Sequence, residues 1–313
     1  YEWLAIIKNT TGAVEKWYII NSLNGANKYH TWQSAVQATD ANVMTVSGTT
    51  FTLGSTLGAK NYLVEIHKAG LSSAKAANEE GATNTIATTV NLVSGFGMSE
   101  FTGTGSNTTV GHGMDIAPAL TIPNNNTIAD GHYVLHTGTG DPDLRLNIGT
   151  TQAAADDAAN FNGSYPSATV ISLGTADRTN KSGSNIVLYY WHSVAGYSAF
   201  GSYTGNNSAD GPMINMGGSP NSWFTKRTDS ADTWQLVDVA VPDNDFNIVE
   251  ERLSINATSI ASSTAAMVWD RLSNGWKVRG NDSGFNANNG TYIYGAWGGT
   301  PLTDGAINQG RAK

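Results

Sequence analysis

The chain has 313 residues, 40% of them hydrophobic, which is long enough for two or three domains and apolar enough to exclude a disordered protein. Its net charge of −8, with no block of Lys or Arg, opposes attraction to phosphate backbones, so nucleic acid is not an expected partner. The absence of cysteine excludes disulfides, thiol catalysis and Cys-bound metals, and no run of about 18 apolar residues offers a membrane span.

In chain order, short β-branched or alternating runs separated by Gly, Asn, Asp and Ser predict strands. They include Lys16 to Asn21, Ala41 to Val46, Tyr62 to Ile66, Ala168 to Leu173, Ile186 to Trp191, Trp234 to Val241, Ala265 to Val268 and Tyr292 to Trp297. Thr151 to Ala159 and Ser72 to Glu80 are rich in Ala but lack an apolar stripe, and read as short loop helices or linkers.

The runs repeat. Phe101-Thr102-Gly103-Thr104-Gly105 aligns with Tyr203-Thr204-Gly205-Asn206-Asn207, Pro118 with Pro220, and His132 to His136 with Trp234 to Asp238, all at one offset. Ile171-Ser172-Leu173-Gly174 matches Lys277-Val278-Arg279-Gly280, and Asn185 to Trp191 matches Thr291 to Trp297. The first third carries the same marks in Trp3 to Lys8, Trp17 to Ile20, Phe51 to Gly54 and Asn61 to His67, but nothing before Tyr1 corresponds to the strand at Phe101 or Tyr203. The sequence therefore predicts an all-β chain of three related antiparallel β-sandwich units in tandem, the first lacking its opening strand. The expected boundaries are residues 1–70, a linker at 71–93, then 94–196 and 197–313. The missing strand implies that the chain starts inside a longer polypeptide or takes a strand from elsewhere.

Asn78-Glu79-Glu80-Gly81, Ile86 to Asn91, Phe96-Gly97-Met98, Phe101 to Asn107, Val110-Gly111-His112-Gly113 and Ala117-Pro118 resemble a repeat module of large structural proteins of marine tailed phages, cyanophages especially. Tyr197 to Gly205, Lys226 to Ala231, Leu272 to Arg279 and Asn289 to Tyr294 resemble it again. The resemblance implies a virion-surface or extracellular structural protein of tail-fibre, knob or capsid-decoration type, without catalytic residues. Its partners would be itself or other virion proteins, in an assembly held by neutral contacts that salt does not screen. A host-glycan-binding adhesin and a bacterial extracellular filament subunit are the alternatives. The second unit departs from the third in carrying Pro123 to Asn126 where the third has Lys226-Arg227.

Few residues suggest chemistry. Asp141, Asp143, Asp243 and Asp245 follow matched strands and suit a structural calcium ion, but calcium takes six to eight oxygen ligands and turn chemistry explains the same residues. No other cofactor is expected. His132 and His136 share a strand face, yet the third unit has Trp234 and Asp238 at those positions, which argues against a metal site built into the module. Trp3, Trp17, Trp223, Lys226 and Arg227 are the candidate interaction residues, the tryptophans doubling as core anchors.

Overall fold

The computed structural model describes residues 2–12, 14–70, 76–129, 131–242, 244 and 246–299. The first unit contributes β1 (Trp3–Asn9), β2 (Tyr18–Asn21), β3 (Lys28–Thr31), β4 (Ser34–Thr39), β5 (Met44–Ser47), β6 (Thr50–Leu53) and β7 (Tyr62–Lys68). The second contributes β8 (Ala87–Asn91), β9 (Phe96–Thr102), β10 (Thr108–Gly111), β11 (Leu120–Asn125), β12 (Tyr133–His136), β13 (Leu144–Asn147), β14 (Ala155–Asp156), β15 (Val170–Leu173), α1 (Asp177–Asn180) and β16 (Asn185–Trp191). The third contributes β17 (Ser198–Thr204), β18 (Met213–Asn215), β19 (Ser222–Arg227), β20 (Gln235–Asp238), β21 (Leu253–Ser254), β22 (Trp269–Leu272), β23 (Gly275–Val278), α2 (Ser283–Asn286) and β24 (Thr291–Trp297).

The chain is all-β with antiparallel sheets, as expected. Each unit builds one large sheet: β4-β3-β2-β1-β7, β14-β13-β12-β11-β16-β9-β8 and β17-β24-β19-β20-β21. The β5-β6 hairpin, the β10-β15 pair and the β18-β23-β22 sheet cover them. Strand registers make the units equivalent residue by residue. Leu4 pairs with Asn21 and His67, Leu120 with His136 and Trp191, and Ser222 with Asp238 and Trp297. Among the described residues no strand occupies in the first unit the place of β9 and β17, so β7 ends its sheet there.

Each unit has a private core between its large sheet and its cover, around Trp3 and Ile7, Phe101 and Leu188, and Trp223 and Trp276. The opposite faces of the three large sheets meet in one common core that includes Ile6, Ile122 and Phe224. An antiparallel sheet usually keeps one wet face. Here every residue of β1, β2, β11 and β12 is buried, because each strand packs on a cover and on the other two units.

Several expected segments differ. Ala265 to Val268 is no strand but a turn, with Met267 N–H donating to Thr264 C=O at 2.9 Å, and the strand follows it as β22. Thr151 to Ala159 is no helix: it stays extended to bond the third unit, with Ala154 N–H donating to Thr228 C=O at 2.8 Å and Asp232 N–H to Thr151 C=O at 2.8 Å. Within the stretch expected as a linker, Ala87–Asn91 forms β8 and pairs with β9 along its length. Of the other weak helix candidate, residues 72–75 lie outside the described residues, and 76–80 contain no helix.

Candidate functional site

The three units interlock through equivalent positions. Asn21, at the end of β2, donates to Tyr189 Oη on β16 at 2.8 Å. His136, at the end of β12, donates to Tyr294 C=O on β24 at 3.1 Å. Asp238, at the end of β20, meets Glu65 on β7. The first unit thus holds the second, the second the third and the third the first, so the ring closes. At its centre the equivalent residues His67, Trp191 and Trp297 form a triangle with ring centroids 5.5, 5.2 and 6.3 Å apart. The cavity beside them has a volume of about 50 Å³. Ligand pockets usually run to about 300–1,000 Å³, so this one is a packing gap.

The expected interaction residues lie mostly inside this framework. Trp3, Trp17 and Trp223 are buried; Trp3 packs edge-on against Phe51, and Trp223 stacks on Trp276 at 5.5 Å. Trp17 Nε1 donates to Ser254 C=O at 3.1 Å, and its equivalent Trp234 donates to Asn147 C=O at 3.1 Å, each reaching another unit. Lys226 is fully buried and donates to Thr151 C=O at 3.1 Å and Asp232 C=O at 2.8 Å. Its counterpart Lys8 donates to Thr258 C=O at 2.8 Å and to Glu15 C=O. Burial pulls both ammonium groups down to about 8. Asn124 stands at the same position in the second unit and accepts from His132 Nε2 at 2.7 Å. These lysines are struts between units rather than contacts for an outside partner. Arg227 reaches the surface and pairs with Asp229 at 2.8 Å.

Asp141 Oδ1 accepts from Asp143 N–H at 2.9 Å, an Asx turn, while Asp243 and Asp245 lie outside the described residues. His132 and His136 serve different seams, one ring 5.4 Å from Trp32 and the other bonded to β24. Among the described residues no group of three or more His, Asp or Glu side chains is placed to hold a metal ion, and no helix is long and apolar enough to cross a membrane.

One seam differs from the other two. Where Asn21 meets Tyr189 through neutral groups, Asp238 meets Glu65 as two acids. Ser222 Oγ donates to Glu65 Oε1 at 2.5 Å, Ala240 N–H donates to Asp238 Oδ1 at 2.7 Å, and Arg271 faces Asp238. Burial, then the Asp238 charge, push Glu65 up to about 8, and burial raises Asp238 as well. Two carboxyls this close and this buried disfavour the doubly charged form, so the pair tends to share a proton rather than carry two charges. Such a pair can pass the proton on or trade it for a cation.

The same strand carries the open edge. Thr10 N–H bonds Asn61 C=O and Ala69 N–H bonds Glu2 C=O, which fixes the alternation along the β1-β7 ladder. Leu63, Glu65 and His67 turn their backbone groups toward β1, and the even residues turn theirs outward. At the equivalent positions Leu188 and Tyr190 pair with β9, and Tyr294 and Ala296 with β17. Val64 and Ile66 have no backbone partner on that side among the described residues. Ile66 is 37% exposed, with Leu92 and Val93 exposed in the turn whose Asn91 and Ser94 side chains bond Lys68 C=O.

Sequence reasoning found the missing strand but not the acid pair, because Glu65 and Asp238 are far apart in the chain. A signal was present: Leu63, Glu65 and His67 alternate on the face where the second unit has Val187, Tyr189 and Trp191. No curated protein and no solved structure matches the chain. One family model, described as a domain of unknown function (DUF7483), matches residues 3–301 and so spans all three units. The chain belongs to this DUF7483 family.

Proposed function

We propose that the protein is a non-enzymatic structural subunit of a virion-surface or extracellular assembly, of tail-fibre, knob or capsid-decoration type, joined to its neighbours by strand addition. The observation that carries this reading is the edge of β7, unpaired among the described residues, in a ring whose other two closing strands are both paired. A strand edge with free N–H and C=O groups is a template for another chain, and proteins that do not use such an edge usually blunt it. The resemblance to phage structural repeats supports the setting. So does a chain with only 13% charged residues, which suits contacts that salt does not weaken.

The test is mass by light scattering over a concentration series, at low and at marine ionic strength. The reading predicts oligomers that persist in high salt and are lost in Val64→Pro, which removes an outward N–H while leaving the ladder to β1 intact. A chain that stays monomeric at every concentration, or a Val64→Pro variant that assembles unchanged, contradicts it.

A further inference from the structure

The loop that follows β20 is built differently from its counterparts. Residues 22–27 and 137–143 join the equivalent strands of the first and second units, whereas the third unit uses residues 239–252. Hydrogen bonds pin this longer loop at both ends. Asn244 is fully buried, donates to Asp238 C=O at 2.9 Å and Glu251 C=O at 2.8 Å, and accepts from Glu251 N–H at 3.0 Å. Asn247 donates to Arg271 C=O at 2.9 Å and accepts from Arg271 N–H at 2.8 Å, and Val249 pairs with Trp269. Between these anchors Phe246 is 71% exposed, the most of any large apolar side chain among the described residues, and Ile248 is exposed beside it. Single exposed apolar residues are ordinary, but two on one fixed loop, one of them aromatic, make an anchor for a partner.

The base of the same loop forms a wall of a cavity on the seam between the third and first units. Val241, Pro242 and Glu251 line it with Ile260, Ala261 and, from the first unit, Gly12, and its volume is about 230 Å³. Phe246 is not part of this lining. A cavity of roughly 150 Å³ suffices for benzene, so this one is large enough for a phenyl ring. Its Val, Pro, Ile and Ala walls are apolar, and a carboxylate such as that of Glu251 sits well against the electropositive edge of a ring.

We propose that two copies of the chain associate about a two-fold axis, the Phe246 ring of each entering the cavity between Gly12 and Ala261 of the other. Knob and hole belong to one loop, so a two-fold axis satisfies both at once and closes the contact, whereas head-to-tail insertion leaves one of each unmatched. A Phe side chain buries roughly 150–250 Å². Two reciprocal insertions, counted with the walls they cover, remove on the order of 600–1,000 Å² from water, the low end for a specific interface and the size of a weak, concentration-dependent dimer. The proposal rests on the reading of the chain as an assembly subunit and adds a contact that does not involve β7.

The experiment is sedimentation velocity over a wide concentration series on the full chain carrying Val64→Pro, in which the contact through β7 is removed. A reversible monomer–dimer equilibrium is expected, and adding Phe246→Ser should weaken the dimer about 100-fold or more, because two buried rings are lost. Ala261→Phe, which fills the cavity and is checked for an unchanged circular dichroism spectrum, should weaken it as well. With Phe246→p-benzoylphenylalanine and an equal mixture of isotopically light and heavy chains, irradiation should join position 246 of one chain to Ile260 or Ala261 of the other. A dimer left unchanged by Phe246→Ser, cross-links confined to one chain, or a chain monomeric at every concentration overturns the proposal. Monomers that sediment with phosphatidylcholine vesicles, and lose that binding in Phe246→Ser, would assign the ring to a lipid surface and overturn it too. The β7 reading is judged by what Val64→Pro does to the larger oligomers, so either contact can fail alone.

Discussion

At the scale of single residues, the repeat preserves positions that close backbone approach or buried hydrogen bonding demands. Gly54, Gly174 and Gly280 align in the sequence, and a Cβ on each would come within 2.0, 2.1 and 1.9 Å of a backbone oxygen. Asn180 and Asn286 play one role in two units: each donates to the carbonyl of its unit's glycine, Gly174 at 2.8 Å and Gly280 at 2.7 Å, and to Ser106 or Ser208 C=O. Lys226 shows how a surface reading of a charged residue fails. A Lys-Arg pair in a polar stretch looks solvated, but alternation along β19 sends one side chain in and the other out. Lys226→Ala is expected to cost about 3 kcal/mol in urea unfolding, because a buried side chain that bonds two carbonyls, of Thr151 and Asp232, is lost from the seam. Arg227→Ala, which breaks a partly exposed ion pair, should cost under about 1 kcal/mol. Equal costs would mean that Lys226 is no strut.

At the scale of elements, most strands were legible because each carries β-branched or aromatic runs bounded by turn residues, as at Asn185–Trp191 and Thr291–Trp297. The equivalence of the units was legible too, since the constant offset between His132 and Trp234 survives as equal strand register. What could not be read was how the units face one another. The contacts that decide it join residues far apart in the chain, such as Trp17 with Ser254, and leave no local pattern. Thr151 to Ala159 illustrates the cost: its Ala content favours helix, and tertiary hydrogen bonds to the third unit override it. The turn at Thr137–Thr139 is one of the joints, with Gly138 so close to β17 that a Cβ would sit 2.6 Å from Gly201 O. Gly138→Ala is predicted to lower the melting temperature through this seam, by overpacking worth about 1–3 kcal/mol. An unchanged melting temperature would show that the second and third units are not in contact there.

At the scale of the whole molecule, three units share one core, so protonation inside any seam is felt by the entire fold. Burial holds His67 and His136 down to about 4 and His132 down to about 3, from an ordinary value of 6.5. The unfolded chain takes up these protons first, so the stability they contribute is present above pH 6.5 and is lost as pH falls below it. Glu65 has the opposite sign. Its folded value is raised to about 8, so its contribution is complete below 4.5 and is lost as pH rises toward 8. Thermal stability should therefore peak near pH 6.5 and fall by pH 8, where Lys8 and Lys226 begin to titrate with the opposite effect. Glu65→Gln should remove the fall between those two values, and a fall of the same size in the variant would show that the acid pair is not its cause. The central claim, that one of three equivalent closing strands has an open edge, is tested most directly by residue-resolved amide hydrogen exchange on the isolated chain. The account predicts slow exchange at Leu63, Glu65 and His67 and at Leu188, Tyr190, Tyr294 and Ala296, with fast exchange at Val64 and Ile66. Protection of Val64 and Ile66 as strong as that of Leu188 and Tyr190 would mean that the edge is already paired, and would contradict the account.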